Sequence, residues 1–135
     1  MNENCIFCKI INKSIPVDVI YEDKQFLIFP DRNPINPGHS LLVPKTHIDN
    51  VFEIPEPLYA EMFQLAKKIA PVIREAMKSV RTGLVIEGFG VPHAHIHLIP
   101  IHKGNELDPN RAQEATEKQI KETAEKIRHV LKKTA

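Results

Sequence analysis

The chain carries almost no net charge. Across its 135 residues, 18 Lys and Arg stand against 17 Asp and Glu, a formal charge of +1. That balance gives no general pull toward a nucleic acid polymer or an anionic membrane, so any nucleotide chemistry must come from a local site. Long hydrophobic runs are also missing. The longest, such as Ile10-Ile11 and Phe26 to Phe29, fall well short of the roughly 20 residues that cross a bilayer. With polar first residues, this reads as a chain without a signal peptide or membrane segment. Cysteine occurs only twice, at Cys5 and Cys8. Two cysteines so close together cannot build a secreted disulfide framework, and a reducing, cytoplasmic setting is expected. No repeat or low-complexity stretch is visible, which excludes solenoid architectures. The length suits one domain spanning 1–135.

What is present is clear punctuation. Eleven prolines sit mostly at joints between patterned segments. Val17 to Glu22 and Gln25 to Phe29 are β-branched or aromatic runs parted by Asp23-Lys24, a hairpin pattern. "DRNPINPG" breaks the pattern and "HSLLVP" resumes it as a third strand. "GLVIEG" and "HAHIHLIPI" supply the fourth and fifth. Between strands three and four, Leu58, Met62, Leu65, Ile69, Val72 and Ala76 recur at helical spacing and predict a core helix bent near Pro71. After Pro109, Thr116 and Gln119 offer a capping box for a last helix with the stripe Ile120, Ala124, Ile127 and Leu131. Hairpin-linked strands with grouped helices predict an α+β fold: a mainly antiparallel five-stranded sheet, a core helix and a C-terminal helix.

The stretch "VPHAHIHLIP" holds His93, His95 and His97 at alternate positions. On a strand they share one face at ~6.6 Å steps, with Ala94, Ile96 and Leu98 on the other. Unpaired buried imidazoles cost free energy, so the histidine face should be a polar site. Four readings stand at this point: a plain solvated face, a three-histidine metal site, phosphate binding without turnover, and nucleophilic or acid–base catalysis. Imidazole suits the last because its neutral form attacks phosphorus and its protonated form binds anionic oxygens. Cys5-x-x-Cys8 alone is half a zinc site, a redox pair or two small core residues; His47 and His93 are available as further ligands. His39 reads as structural, and His102 and His129 as solvated.

"HAHIHLI" resembles the His-φ-His-φ-His-φ-φ motif of the histidine-triad family. "CIFCKIINKSIP", "VIYED", "FLIFPD" and "GHSLLVPKTHI" stand in that family's order and approximate spacing, covering roughly residues 4–101, with a helical extension at about 109–133. The resemblance implies a nucleotidyl hydrolase or transferase, usually a homodimer, acting on nucleoside phosphoramidates or dinucleoside polyphosphates. It implies that His95 is the nucleophile and that His97 hydrogen-bonds phosphoryl oxygens. Asp31 matches the residue that binds ribose hydroxyls, although an Asx turn before Asn33-Pro34 explains it as well. Ile6, Phe7, Ile10 and Phe29 match positions around the purine, or are ordinary core. A bacterial subgroup carries the same Cys-x-x-Cys and binds zinc through the positions of Cys5, Cys8, His47 and His93, implying a closed structural Cys₂His₂ centre. Many members have Gly-Gln-Ser before the triad, where this chain has "EGFGVPH". The serine hydroxyl is replaced at Gly90, where backbone N–H groups would approach the phosphate instead. From another class, a nucleotide-binding partner protein with little turnover is the alternative.

Overall fold

The computed structural model describes residues 2–134. A short helix, α1 (Ile6–Ile11), opens the chain, followed by β1 (Tyr21–Glu22), β2 (Phe26–Pro30), β3 (Ser40–Pro44), the long helix α2 (Leu58–Met77), β4 (Arg81–Val85), β5 (Ile96–Ile101) and α3 (Glu117–Thr134). The strands form one sheet in the order β1-β2-β3-β5-β4, with every neighbour antiparallel. Among the described residues, no helix is long and apolar enough to cross a membrane.

β2 and β3 are buried along their whole length, because helices cover both sides of the sheet. Phe26, Ile28, Leu42, Ile96 and Leu98 face α2 and α3 in the larger core, while Leu27, Phe29, Leu41 and Val43 face α1 in a second one. The apolar face of α2 is the expected one: Met62, Leu65, Ile69 and Val72 are buried together with Ala66 and Ile73. The helix continues through Pro71, giving up one N–H bond there. α3 starts on the expected capping box, in which Thr116 N–H donates to Gln119 Oε1 at 2.9 Å and Gln119 N–H to Thr116 Oγ1 at 3.1 Å.

The boundaries move where tertiary contacts compete with pattern. Of Val17 to Glu22, only Tyr21 and Glu22 pair, with Ile28 and Leu27. β4 begins at Arg81 and stops at Val85, short of Gly88 and Gly90, which both adopt positive φ. β5 begins at Ile96 rather than His93. Pro44, at the end of β3, has no N–H for the ladder, and Ala94 N–H donates to the Ile48 carbonyl at 2.6 Å instead. His93 and His95 therefore sit on the lead-in to the strand and only His97 is within it. The helix α1 was not anticipated from "IFCKII", which is too short to show periodicity.

Candidate active site and metal centre

The second core places the histidines. In the pairing register, Phe29, Leu41, His97 and Val85 lie side by side across β2, β3, β5 and β4. His97 is thus on the face that α1 covers, as alternation requires, while Ala94, Ile96 and Leu98 enter the larger core. His93 is fully buried and His95 nearly so. The Phe7 ring from α1 stands edge-on to both, with centroids 5.8 Å from His93 and 5.2 Å from His95.

Four side chains converge at the start of α1. Cys5 is its N-cap and Cys8 lies one turn in; both are free and buried. His47 arrives just after β3 and His93 from the lead-in to β5. Sulfur–nitrogen distances are 3.4 Å for Cys5 to His93 Nδ1, 3.3 Å for Cys8 to His47 Nδ1 and 3.6 Å for Cys8 to His93 Nδ1; the two Nδ1 atoms are 3.2 Å apart. A tetrahedral zinc with ordinary bond lengths has S···N edges of about 3.6 Å and N···N edges of about 3.3 Å. These four edges fit that tetrahedron to within about 0.3 Å, and all four donor atoms lie within 4.8 Å of one another. His93 Nε2–H donates to the Pro44 carbonyl at 2.8 Å, which leaves Nδ1 bare toward the centre. Burial lowers the pKa of His93 and raises that of the Cys5 thiol. The first shift favours the neutral ligand form; the second is one that a bound cation reverses.

The same residue positions His95. Its Nδ1–H donates to the His93 carbonyl at 2.7 Å, so Nε2 keeps its lone pair. His97 lies alongside, ring centroids 5.0 Å apart. Burial, then the neighbouring His95, lowers the His97 pKa. His97 Nδ1 is 2.9 Å from His39 Nε2, and the Asp31 carboxylate lies 3.5 Å from that same nitrogen. His39, read from sequence as structural, is buried against the catalytic candidate. No sequence signal separates it from a core histidine, because only the β3–β5 register brings it beside His97.

Asp31 makes the expected Asx turn. Its Oδ1 accepts from Asn33 N–H at 2.8 Å, the Asx turn, while Oδ2 faces the histidines. A cavity of about 370 Å³ adjoins them, lined by Asp31, Ile35, His97, Glu87, Leu107 and Pro109 among others. Its outer wall is fixed by the segment after β5. There Glu106 accepts from Lys103 N–H at 3.1 Å, Asn36 Nδ2–H donates to the Pro100 carbonyl at 2.8 Å, and Arg111 donates to Asn36 Oδ1 at 2.9 Å. The amides of His102 and Lys103 help hold the Glu106 carboxyl below its usual range.

The four residues expected around a purine or in the core differ in exposure. Phe7, Ile10 and Phe29 are buried in the second core, Phe7 and Phe29 in edge contact at 5.7 Å, whereas Ile6 is 43% exposed. None of the four lines the 370 Å³ cavity. Gly90 has φ +88° with open space where a Cβ would stand, so its backbone rather than its neighbours demands glycine. His102 and His129 are exposed, as expected.

Comparison with known proteins agrees with this geometry. The family model described as the HIT domain matches residues 12–104. The protein named hit of Bacillus subtilis is 41% identical over 103 residues, spanning 73% of this chain and 71% of its own. The adenosine 5'-monophosphoramidase of Saccharomyces cerevisiae is 34% identical over 97 residues, 71% of this chain and 61% of its own. Among solved structures, a zinc-bound histidine triad family protein from Mycobacterium smegmatis superposes with a TM-score of 0.84 at 28% identity, covering 97% of this chain and 95% of that one.

Proposed function

The chain belongs to the HIT family, and from that premise we propose that it is a nucleotidyl hydrolase acting on a nucleoside 5'-phosphoramidate or a dinucleoside polyphosphate. One observation carries the reading: the 2.7 Å bond from His95 Nδ1–H to the His93 carbonyl, which leaves Nε2 bare beside His97. In the reaction, His95 Nε2 attacks the α-phosphorus and forms a P–N bond. The leaving group departs with the electrons of its own bond to phosphorus and, if an amine, takes a proton from water. A second water then cleaves the nucleotidyl-histidine, releasing the nucleoside monophosphate and restoring His95. His97 donates a hydrogen bond to a phosphoryl oxygen as charge builds there.

Asp31 Oδ2 accepts from ribose hydroxyls, and exposed Ile6, backed by Phe7, Ile10 and Phe29, meets the purine. The main chain at Gly90 approaches the phosphate. Cys5, Cys8, His47 and His93 hold a structural zinc; when bound, it ties α1 to the lead-in of β5 and supplies no chemistry to the substrate. The 135 residues act as one domain and as a homodimer, a reading supported by the edge strand β4, where Leu84 is 41% exposed and adjacent Val80 65%. Two reduced, buried thiols suit the cytoplasm.

The test is hydrolysis of adenosine 5'-phosphoramidate, with intact-protein mass spectrometry of a rapidly quenched reaction. Turnover with a transient adduct of one nucleotidyl group on the His95 peptide supports the reading. Tight AMP binding without turnover makes the chain a nucleotide-binding partner protein instead.

A further inference from the structure

The 2.9 Å contact between two ring nitrogens, His39 Nε2 and His97 Nδ1, requires one of them to carry the proton. The Ile35 amide decides which. Its N–H donates to His39 Nδ1 at 3.0 Å, so that nitrogen is an acceptor and the proton of neutral His39 is on Nε2. The Asp31 carboxylate, 3.5 Å from the same Nε2, also calls for a donor there. Burial holds His39 in its neutral form, pushing its pKa down to about 4. His39 Nε2–H therefore donates to His97 Nδ1, which must be bare, and the one proton of neutral His97 resides on Nε2.

We propose that His39 is a positioning residue that locks His97 in its Nε2–H tautomer, so that His97 meets the phosphoryl oxygen as a neutral hydrogen-bond donor and not as a cation. Protonating His97 on Nδ1 would set two N–H groups against each other. Relief would require His39 to move its proton to Nδ1, where it would oppose the Ile35 amide. The groups facing the pair are His95 from the lead-in to β5, Asp31 after β2 and Glu87 after β4. Neither carboxylate contacts His97 closely enough to replace the His39 bond among the described hydrogen bonds. The same tautomer argues against a metal ion at the group Asp31, His39 and His97, whose donor atoms lie within 4.8 Å of one another. The His39 nitrogen facing the others is protonated and its second nitrogen is engaged.

The proposal rests on the catalytic reading for its consequence, but its direct test needs no substrate. Long-range ¹H–¹⁵N spectra of the full, metal-loaded chain with ¹⁵N-labelled histidine report which ring nitrogen bears hydrogen. The His97 signals are identified by their loss in His97→Asn. We expect a bare Nδ1 and protonated Nε2 on His97, and the same on His39. His39→Leu should leave His97 as a tautomer mixture and lower kcat about ten- to a hundred-fold with KM little changed. His39→Gln, whose amide reproduces both the donor and the acceptor, should restore the tautomer and most of the rate. A protonated Nδ1 on wild-type His97 overturns the proposal, and so does an unchanged His97 tautomer in His39→Leu; if that variant does not fold, the wild-type and Gln spectra decide. A chain with the expected tautomers but no nucleotidyl turnover keeps the relay and loses the catalytic reading. Turnover with the opposite tautomer does the reverse.

Discussion

His39 makes the folded protein sensitive to acid in a way that can be isolated. Its pKa is lowered from 6.5 to about 4 by burial, with Asp31 opposing and His97 adding to the effect. A histidine whose folded value is depressed binds its proton more readily in the unfolded chain. Stability therefore rises with pH between the two values and is flat above 6.5. Integrated over that window, the penalty on lowering pH to 4 is about 3 kcal/mol. Other groups titrate in the same range, including His97 and any metal ligands, so the useful quantity is a difference. Urea denaturation of wild type and His39→Gln, run from pH 4 to 8, removes the contributions common to both. We expect the wild type to lose about 3 kcal/mol relative to the variant as pH falls to 4, with parallel curves above pH 6.5. A constant difference across the range would mean that His39 is not held neutral by burial, and the account of its environment would be wrong.

Elemental analysis of protein purified without chelator should find about one zinc per chain, and Cys8→Ser should lose it. At metal concentrations a thousandfold above Kd the linked stabilisation is about 4 kcal/mol, so the melting temperature should drop by about ten degrees or more; wild type free of metal would refute the centre. His95→Asn should abolish turnover and the covalent adduct while AMP affinity, read by calorimetry, stays within a few-fold. Near wild-type turnover by that variant would shift the chemistry to an activated water. Asp31→Ala should raise KM more for a ribonucleotide than for its dideoxy analogue, and equal effects would leave Asp31 only its Asx turn. Thr116→Ala should cost about 1 kcal/mol of stability in thermal unfolding by removing half of the α3 capping box; no change would mean that the box is redundant.

Local pattern carried the fold class. Period-two and period-3.6 spacing identified the strands, the buried face of α2 and the start of α3, because the burial that stabilises those elements is written in consecutive residues. The proposed ligand set Cys5, Cys8, His47 and His93 came from family resemblance, and chain folding brings its donor atoms within 4.8 Å of one another. What remained hidden depends on neighbours distant in sequence. α1 is six residues long and is held by the second core, not by its own periodicity. β5 starts late because Pro44 and Ile48, far away in the chain, set which amides pair. Phe7, Ile10 and Phe29 have one composition for either a ligand wall or a core; only packing placed them under the sheet. The role of His39 was decided the same way, since a ring nitrogen's proton is assigned by its partners, here Ile35 four residues back and His97 fifty-eight residues on.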